Sequence, residues 1–483
     1  MQQSKLIDYL NKDYCCYQSQ APESDQPIYY YYDELKPFLE APLTAEMAQS
    51  ILDKFQLSFA IELNEQGFAQ AAERQSNNDQ SHYDAVWIRD NVWVYFYFKT
   101  FNPSKAKILI ESLSQYYLNP DQLKRFECII DQPSRASDSM QVPHIRFNGK
   151  SDTYQDVQID GHNQIWNHKQ LDAHGLFLIA LYDAINSNLI DYQSTKKDIN
   201  QLVNYFFNFF NAIDFSNYED AGAWEEIERV NTSSIALVTN AAFKWLKLKQ
   251  KYNITLNCDL NQLAHKGLEK VKQQISFGGE SPNYPIKSIQ YRRSDAALLH
   301  VITPYLLEEL DIRYYEEILK LIQPLERAHG IIRYSKDSYQ CANFWLAAND
   351  EDLHQLTDDT SNERSFTQRQ KMMQPNSEAQ WFFDSLIALS YLSIYQHYPV
   401  RYDHQSIKLK SAWHIKRALA QMTGTNSLSA DGQPLKHGQL PESINTILLD
   451  QKYYYLPSPI TPLNWAKASL ALALSNYAKI FNY

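Results

Sequence analysis

The sequence predicts an all-α fold. Apolar residues recur at helical spacing along most of the chain, in roughly a dozen segments separated by polar loops. Several of these segments are apolar on more than one side, which is typical of helices buried between neighbours. Strand signals are sparse, and no alternation of strands and helices appears. The succession indicates two concentric rings of antiparallel helices, although the periodicity equally allows an irregular helical arrangement.

The helical pattern starts after a polar and aromatic stretch. Residues 1–42 contain four consecutive tyrosines and scattered prolines, and we expect them to form an N-terminal arm laid over the body. Residues 43–483 then form a single domain. A polar excursion at residues 346–377 interrupts this domain, either as a cover over a site or as a mobile loop. The predicted helices of the domain include residues 93–101, 108–118, 170–184, 199–213, 235–248, 263–275, 295–310, 314–322, 381–395, 407–422 and 465–480.

Composition excludes several classes of protein. The formal net charge of -11 disfavours binding to a nucleic-acid backbone. No run of about 18 apolar residues predicts a membrane span, and the N-terminus lacks the apolar core of a signal peptide. The five cysteines are odd in number and scattered, which indicates reduced thiols in a cytoplasmic protein. Aromatic residues make up 13% of the chain, and their flat rings suit sugar faces as well as any core.

Carboxylates and a tryptophan crowd the start of one predicted helix. Trp224 is followed by Glu225 and Glu226, shortly before the apolar segment 235–248. A carboxyl group beside a large apolar ring is disfavoured in its charged form, and a carboxyl that keeps its proton can act as a general acid. An acidic first turn that complements the helix dipole explains the same residues without any chemistry.

Other stretches combine residues that could bind a polyol. The run Trp87-Ile88-Arg89-Asp90 offers a fork of donors and a fixed acceptor, or a structural ion pair. Residues 333–339 alternate charged and aromatic side chains in a loop, and Glu442 follows a proline in another. His162 and His168 lie six positions apart with no carboxylate pair nearby, which argues against a metal site.

Taken in order, these stretches resemble glycoside hydrolase family 15, the glucoamylase family. Within that family they are most similar to the branch that contains the phosphorylase kinase alpha and beta subunits. The resemblance runs from about residue 50 to the C-terminus and is carried by residues 84–91, 170–172, 224–226, 231–234, 333–339, 440–442 and 462–465, together with Trp381.

The resemblance implies an (α/α)6 barrel, a six-hairpin toroid, with its active site where the inner helices begin. It implies that Glu225 is the general acid and Glu442 the general base, and that Arg89 and Asp90 hold the terminal glucose. The sequence around Glu442 departs from the usual motif of the family. The other residues that the resemblance assigns to sugar binding are Trp87, Trp224, Glu226, Arg333, Asp337 and Trp381.

We therefore expect an inverting, exo-acting hydrolase that releases terminal glucose from α-linked gluco-oligosaccharides or glucans. Its expected partner is that substrate, with no cofactor, no nucleic acid and no membrane, and its oligomeric state stays undetermined. One alternative is a non-catalytic, glucan-binding or regulatory protein like the phosphorylase kinase subunits. Another alternative is the same fold acting on trehalose- or dextran-type linkages.

Overall fold

Helices dominate the computed structural model, which describes residues 2–73, 83–150, 153–159, 161–347 and 361–482. The α-helices in these ranges are α1 (Gln2–Lys12), α2 (Lys36–Glu40), α3 (Ala45–Lys54), α4 (Gln56–Phe59), α5 (Ile88–Phe101), α6 (Pro103–Leu118), α7 (Pro120–Asp131), α8 (Leu171–Asn186), α9 (Tyr192–Ala212), α10 (Thr232–Tyr252), α11 (Leu260–Phe277), α12 (Ile312–Ile322), α13 (Phe344–Ala347), α14 (Glu363–Gln370), α15 (Asp384–His397), α16 (His404–Ala420) and α17 (Asn464–Phe481).

The helices form two concentric rings. The inner ring consists of α5, α8, α10, the 3-10 helix Ala296–Val301, α15 and α17, each packed on the next, and α17 closes the ring against α5. Outside them, in the same order, lie α6, α9, α11, α12, α16 and α3. This closed arrangement of helical hairpins is an (α/α)6 barrel, which confirms the predicted fold class.

Most residues of the inner helices are buried, and α8 is the clearest case. Every residue of α8 from Leu171 to Ile185 is buried. At Gly175 an added Cβ would lie 2.7 Å from the carbonyl carbon of Leu237 and 2.8 Å from the nitrogen of Val238. Only glycine therefore lets α8 approach the backbone of α10 so closely.

One predicted helix is wrong in length and type. Residues 295–310 were expected to form a helix, but the structure has only the 3-10 helix Ala296–Val301 there. Pro304 provides the physical reason, because it has no N–H to donate and it disfavours the helical conformation of the preceding Thr303. The fourth inner element of the ring is consequently short.

The strands are few, and most of them are short. The strands are β1 (Tyr17–Gln20), β2 (Pro27–Tyr30), β3 (Val86–Trp87), β4 (Arg146–Phe147), β5 (Gln158–Ile159), β6 (His162–Asn163), β7 (Glu326–Arg327), β8 (Gly330–Ile331), β9 (Gln380–Trp381), β10 (Ser443–Leu449) and β11 (Lys452–Pro457). The last five form one antiparallel sheet in the order β11-β10-β9-β8-β7.

The sequence analysis missed the β10–β11 hairpin. Its turn residues Asp450 and Gln451 both have positive φ, 48° and 63°. Positive φ at both central residues is the signature of a type I′ turn, which matches the twist of paired strands. Two runs rich in β-formers on either side of this dipeptide were the available signal.

Residues near the N-terminus pack on the barrel and on the long hairpin. On α1, Leu6 and Leu10 join a small apolar cluster with Ile447, Tyr454 and Leu456 of the hairpin. The division at residue 42 stays a prediction. Of the predicted excursion, residues 348–360 lie outside the described ranges, and α14 occupies part of the remainder. Within the described ranges, no helix combines the length and the hydropathy that crossing a bilayer requires.

A buried ion pair ties this N-terminal region to α16. Lys416, whose side chain has no exposed area, donates to Glu23 Oε2 at 2.5 Å and to the carbonyl oxygens of Leu39 and Ala41. Glu23 in turn accepts from the backbone N–H of Leu43 at 2.8 Å.

Replacing Lys416 with Met should lower the free energy of unfolding by about 3–5 kcal/mol, because Glu23 keeps a buried charge without its cation. Urea denaturation of the full chain measures this loss. The double variant with Glu23→Gln is the matched control and should recover part of it. A single-variant loss below about 1 kcal/mol would contradict the argument.

Candidate active site

The N-terminal ends of the inner elements surround one pocket of about 100 Å³ that opens to solvent. The free N–H groups at the helix starts carry partial positive charge and favour anionic groups nearby. The residues that line the pocket are Ala71, Tyr83, Trp87, Arg89, Asp90, Trp166, Ala223, Trp224, Glu225, Arg333, Tyr339, Trp345, Trp381, Phe382, Glu442, Leu463 and Trp465.

Glu225 lies in the middle of a loop that spans residues 220–229. It follows the 3-10 helix Gly222–Trp224 and adopts a left-handed backbone conformation, with φ 56° and ψ 40°. Asp220 and Arg229 bridge the base of the loop through mutual backbone hydrogen bonds of 3.0 Å. A left-handed conformation in a residue other than glycine is strained and is often found at functional sites.

The Arg89 guanidinium connects Glu225 to two inner helices. Arg89 Nε donates to Asp172 at 2.6 Å and Nη2 donates to Gln170 at 2.6 Å, both at the start of α8. Nη1 donates to Glu225 Oε1 at 3.2 Å, while the indole N–H of Trp87 donates to Glu225 Oε2 at 3.4 Å. The expected neighbour Trp224 instead donates its indole N–H to Asp295 at 2.7 Å.

Glu442, just before β10, is the second carboxyl group on the pocket wall. Its Oε1 accepts from the hydroxyl of Tyr83 at 2.9 Å, and its Oε2 accepts from the amide of Gln340 at 2.6 Å. Burial raises the pKa of Glu442 to about 7, although both hydrogen bonds act in the opposite direction. Near neutral pH this carboxyl is therefore poised between its protonated and ionised forms.

Asp90 lines the same pocket at the start of α5. Burial, together with the charge of Glu225, raises the pKa of Asp90 to about 7, and the adjacent Arg89 opposes this shift. The pocket brings together the carboxyl groups of Asp90, Glu225 and Glu442, three residues that the resemblance assigns to the site. The predicted Trp87, Arg89, Trp224, Arg333 and Trp381 also line it.

Glu226 and Asp337 lie behind the wall and hold Arg333. Arg333 donates to both oxygens of Asp337 at 2.6 and 2.7 Å and to Glu226 Oε1 at 2.8 Å. Glu226 is fully buried and also accepts from Tyr334 at 2.5 Å. Despite its burial, the surrounding arginines lower the pKa of Glu226. Glu226 and Asp337, which were predicted as sugar contacts, do not line the pocket themselves but bind Arg333, which does.

Several aromatic side chains form the wall, and three of them carry unused donors. Among the described residues, the buried indole N–H groups of Trp166, Trp381 and Trp465 have no acceptor in the protein. Buried donors normally have partners, so these three indole groups are exceptions to that rule. The combination of flat apolar rings and hydrogen-bond donors suits a sugar.

A histidine cluster near the pocket is held by protein contacts. The rings of His144 and His168 stack at 3.7 Å with an interplanar angle of 12°. His144 contacts Asp156 at 2.7 Å and the carbonyl of Met140 at 3.0 Å, and His168 Nδ1 accepts from the N–H of Ile145. These residues are close enough to hold a metal ion, yet the nitrogens of His144 and the Nδ1 of His168 already have partners. His162, considered with His168 from sequence, is exposed.

Comparison with known proteins identifies the family. The model of glycosyl hydrolases family 15 matches residues 55–430, most of the chain. The chain belongs to glycoside hydrolase family 15. Glu442 lies just beyond the matched residues.

Solved structures share the fold of this family 15 chain at low sequence identity. A family 15 glucoamylase from Hypocrea jecorina is 13% identical, with a TM-score of 0.54 over 90% of this chain and 73% of that one. The glucoamylase from Saccharomycopsis fibuligera is also 13% identical, with a TM-score of 0.52 over 95% and 99%. At this identity the likeness establishes the fold alone.

Two proteins from Escherichia coli strain K12 are more similar over short stretches. The uncharacterized lipoprotein YgeQ is 41% identical over 123 residues, which are 24% of this chain and 47% of YgeQ. The putative protein YgeP is 46% identical over 59 residues, 12% of this chain and 60% of YgeP. This family 15 chain thus spans about half to three fifths of the length of these relatives.

Sequence reasoning missed the two residues that contact Glu442 in this family 15 protein. Tyr83 and Gln340 are separated from Glu442 by 359 and 102 positions, and neither lies in a pattern that marks it. For Gln340 the nearby signal was the loop at residues 333–339, which contains Arg333. Contacts at such separations follow from closing the ring and are invisible to local patterns.

Replacing Glu442 with Gln should stabilise the protein in a pH-dependent way. An ordinary glutamate has a pKa of 4.5, whereas the pKa of Glu442 in the folded protein is about 7. The ionised form of Glu442 is therefore less stable in the folded than in the unfolded chain, and it lowers the stability as the pH rises. The variant should gain about 1–3 kcal/mol at pH 8 and less than about 1 kcal/mol at pH 5. Urea denaturation at both values measures the gain.

The exposed Glu65 offers a matched control for that experiment. Glu65→Gln should change the free energy of unfolding by no more than about 0.5 kcal/mol at either pH. A gain for Glu442→Gln that is equal at pH 5 and pH 8 would contradict the assignment of a buried, high-pKa carboxyl.

Proposed function

We propose that this protein is an inverting, exo-acting α-glucosidase that releases terminal glucose from α-linked gluco-oligosaccharides or glucans. The observation that carries the proposal is the pairing of Glu225 and Glu442 on the wall of one pocket. Glu225 has cationic and indole donors around it, whereas Glu442 has neutral donors and a raised pKa. Glycoside hydrolysis requires two carboxyl groups at one site, and the roles of acid and base follow from the resemblance to the family rather than from these environments.

In the proposed reaction Glu225 donates its proton to the glycosidic oxygen as the bond from that oxygen to C1 breaks. Glu442 takes a proton from a water molecule, whose oxygen forms a bond to C1 on the opposite face of the ring. The products are β-glucose and the shortened saccharide. An inverting site needs the two carboxyl groups roughly 6.5–9.5 Å apart, which leaves room for the water molecule.

The proposed binding of the terminal sugar uses the polar groups between those carboxyls. Arg89 and Asp90 provide a donor and an acceptor for hydroxyl groups, and Arg333 lies on the wall between two aromatic rings, 4.9 Å from the centroid of Trp381 and 5.5 Å from that of Trp224. A glycosidase of the same fold, 14% identical with a TM-score of 0.50 over 90% of this chain and 96% of that one, was solved in complex with glucose.

The alternative functions differ from the proposed one either in the glycosidic linkage that is cleaved or in whether the bound sugar is cleaved at all. Linkage preference depends on loops beyond the terminal sugar, so trehalose- and dextran-type substrates belong in the same assay. A regulatory, glucan-binding role predicts binding without hydrolysis.

We keep the cytoplasmic location as part of the proposal, supported by five cysteines that are all unpaired.

Replacing Glu225 with Gln should abolish hydrolysis, with a loss in kcat of at least about 1,000-fold, because the leaving oxygen then has no proton donor. Glucose release is assayed on maltose, maltotriose, isomaltose, trehalose and soluble starch. Proton NMR in the first minutes identifies the anomer, and β-glucose is expected.

The variant Glu226→Gln serves as the comparison for Glu225→Gln in that assay, because it distinguishes a loss of activity alone from a loss of stability and activity together. Glu226 lies next in sequence but is buried on Arg333, so its loss should lower stability as well as activity. An unchanged rate for Glu225→Gln would defeat the acid assignment. Binding of a maltosaccharide without any glucose release would instead support the regulatory alternative.

The pH profile of kcat/KM should have an acidic limb near pH 7. Glu442 must be ionised to act as the base, and burial raises its pKa to about 7. The rate should therefore fall about tenfold for each pH unit below 6, as protonation removes the base. Initial rates between pH 4 and pH 9 measure the limb, and a profile flat down to pH 5 would contradict Glu442 as the base.

A further inference from the structure

A chain of hydrogen bonds runs from the pocket wall to Glu442. The indole N–H of Trp345 donates to Asn445 Oδ1 at 3.1 Å. Asn445 Nδ2 donates to Gln340 Oε1 at 3.0 Å, and Gln340 Nε2 donates to Glu442 Oε2 at 2.6 Å. The hydroxyl of Ser443 also donates to Gln340 Oε1, at 3.1 Å.

The chemistry of its first member determines the direction of this chain. An indole N–H can only donate, so the oxygen of the Asn445 amide must face Trp345. The Asn445 nitrogen then faces Gln340, and the oxygen of the Gln340 amide must accept the hydrogen bond from that nitrogen. The nitrogen of Gln340 is left to face Glu442, and the orientation of both amides follows without any choice.

Gln340 has little freedom to leave this position. It is fully buried, and its backbone has a positive φ of 59°. Such a conformation in a residue other than glycine persists when the surroundings impose it. Its side chain is held at both ends, by Asn445 and Ser443 at the oxygen and by Glu442 at the nitrogen.

We propose that Gln340 is a positioning residue for Glu442. The amide N–H of Gln340, oriented by Asn445 and Trp345, holds one carboxylate oxygen of Glu442 so that this carboxylate meets the attacking water in its ionised form. This inference rests on the proposed function for the role of Glu442 as a base. Gln340 acts through Glu442 and needs no contact with the sugar.

Two donors on different oxygens fix the plane of the Glu442 carboxylate. Tyr83 holds Oε1 and Gln340 holds Oε2. The charged groups that act on Glu442 are Arg333, which favours its ionised form, and Asp90, which disfavours it. Tyr339 lies next to Tyr83, with their hydroxyl oxygens 3.2 Å apart. Gln340 thus supplies a donor that stays neutral at every working pH.

The test is an infrared titration of the substrate-free protein. The carboxyl band of Glu442 is identified by its absence in Glu442→Gln, and its midpoint is measured in wild type, Gln340→Met and Gln340→Glu. The Met variant removes the donor. The Glu variant keeps an oxygen for Asn445 and Ser443 and replaces only the donor to Glu442, so it tests the role even if the Met variant folds poorly.

We expect the midpoint to rise from about 7 in wild type to about 8 in Gln340→Met, since one donor to the ionised form is lost. In Gln340→Glu the two carboxyl groups share a proton, and the midpoint should rise at least as far. Both variants should lower kcat/KM at pH 6 about tenfold or more and leave KM within about twofold.

Gln274→Met is the matched control, because Gln274 is also a fully buried glutamine that donates to Thr232, at 2.9 Å, away from the pocket. It should leave the Glu442 midpoint unchanged. A midpoint that stays at the wild-type value in folded Gln340→Met and Gln340→Glu would overturn the proposal. Absence of hydrolysis by wild type would remove the proposed function alone, because the infrared measurement needs no turnover, and a raised midpoint would still support Gln340 as the partner of Glu442.

Discussion

The burial of Arg89 is the constraint on which the site depends. A guanidinium without acceptors inside a protein costs several kcal/mol, so most of its N–H groups need partners. Arg89 meets this need with Asp172 and Gln170 at the start of α8, with the carbonyl of Gly222 and with Glu225. One side chain on α5 therefore holds the next inner helix and the Glu225 loop at fixed separations.

The two pocket carboxyls differ because their partners differ. Glu225 accepts from a cation and an indole, while Glu442 accepts from a hydroxyl and an amide. A neutral environment in a buried place leaves the Glu442 charge uncompensated, which is the origin of its raised pKa. Under the proposed function, this costly group would serve as a base that is poised near neutrality.

The sheet β7–β11 supplies the part of the site that the helical rings do not. Trp381 lies on β9 and pairs with Ser443 at the start of β10, directly after Glu442. The same register places Asn445 where it can meet Gln340. An otherwise helical barrel thus uses a small sheet to carry its second carboxyl, the wall beside it and the hydrogen bonds that orient both.

The sequence alone determined the all-α class and most of the ring, because helices such as α8 are apolar on every side and must be buried. Motif order also brought Arg89, Glu225 and Glu442 to notice, through the resemblance to family 15. Only the tertiary structure decided which neighbouring carboxyl faces the pocket. The left-handed backbone at Glu225 ends its 3-10 helix and leaves that carboxyl on the pocket wall, while that of Glu226 lies behind it on Arg333. The contact between Glu442 and the distant Gln340 also depends on the tertiary structure, because closing the ring brings together segments that no local pattern connects.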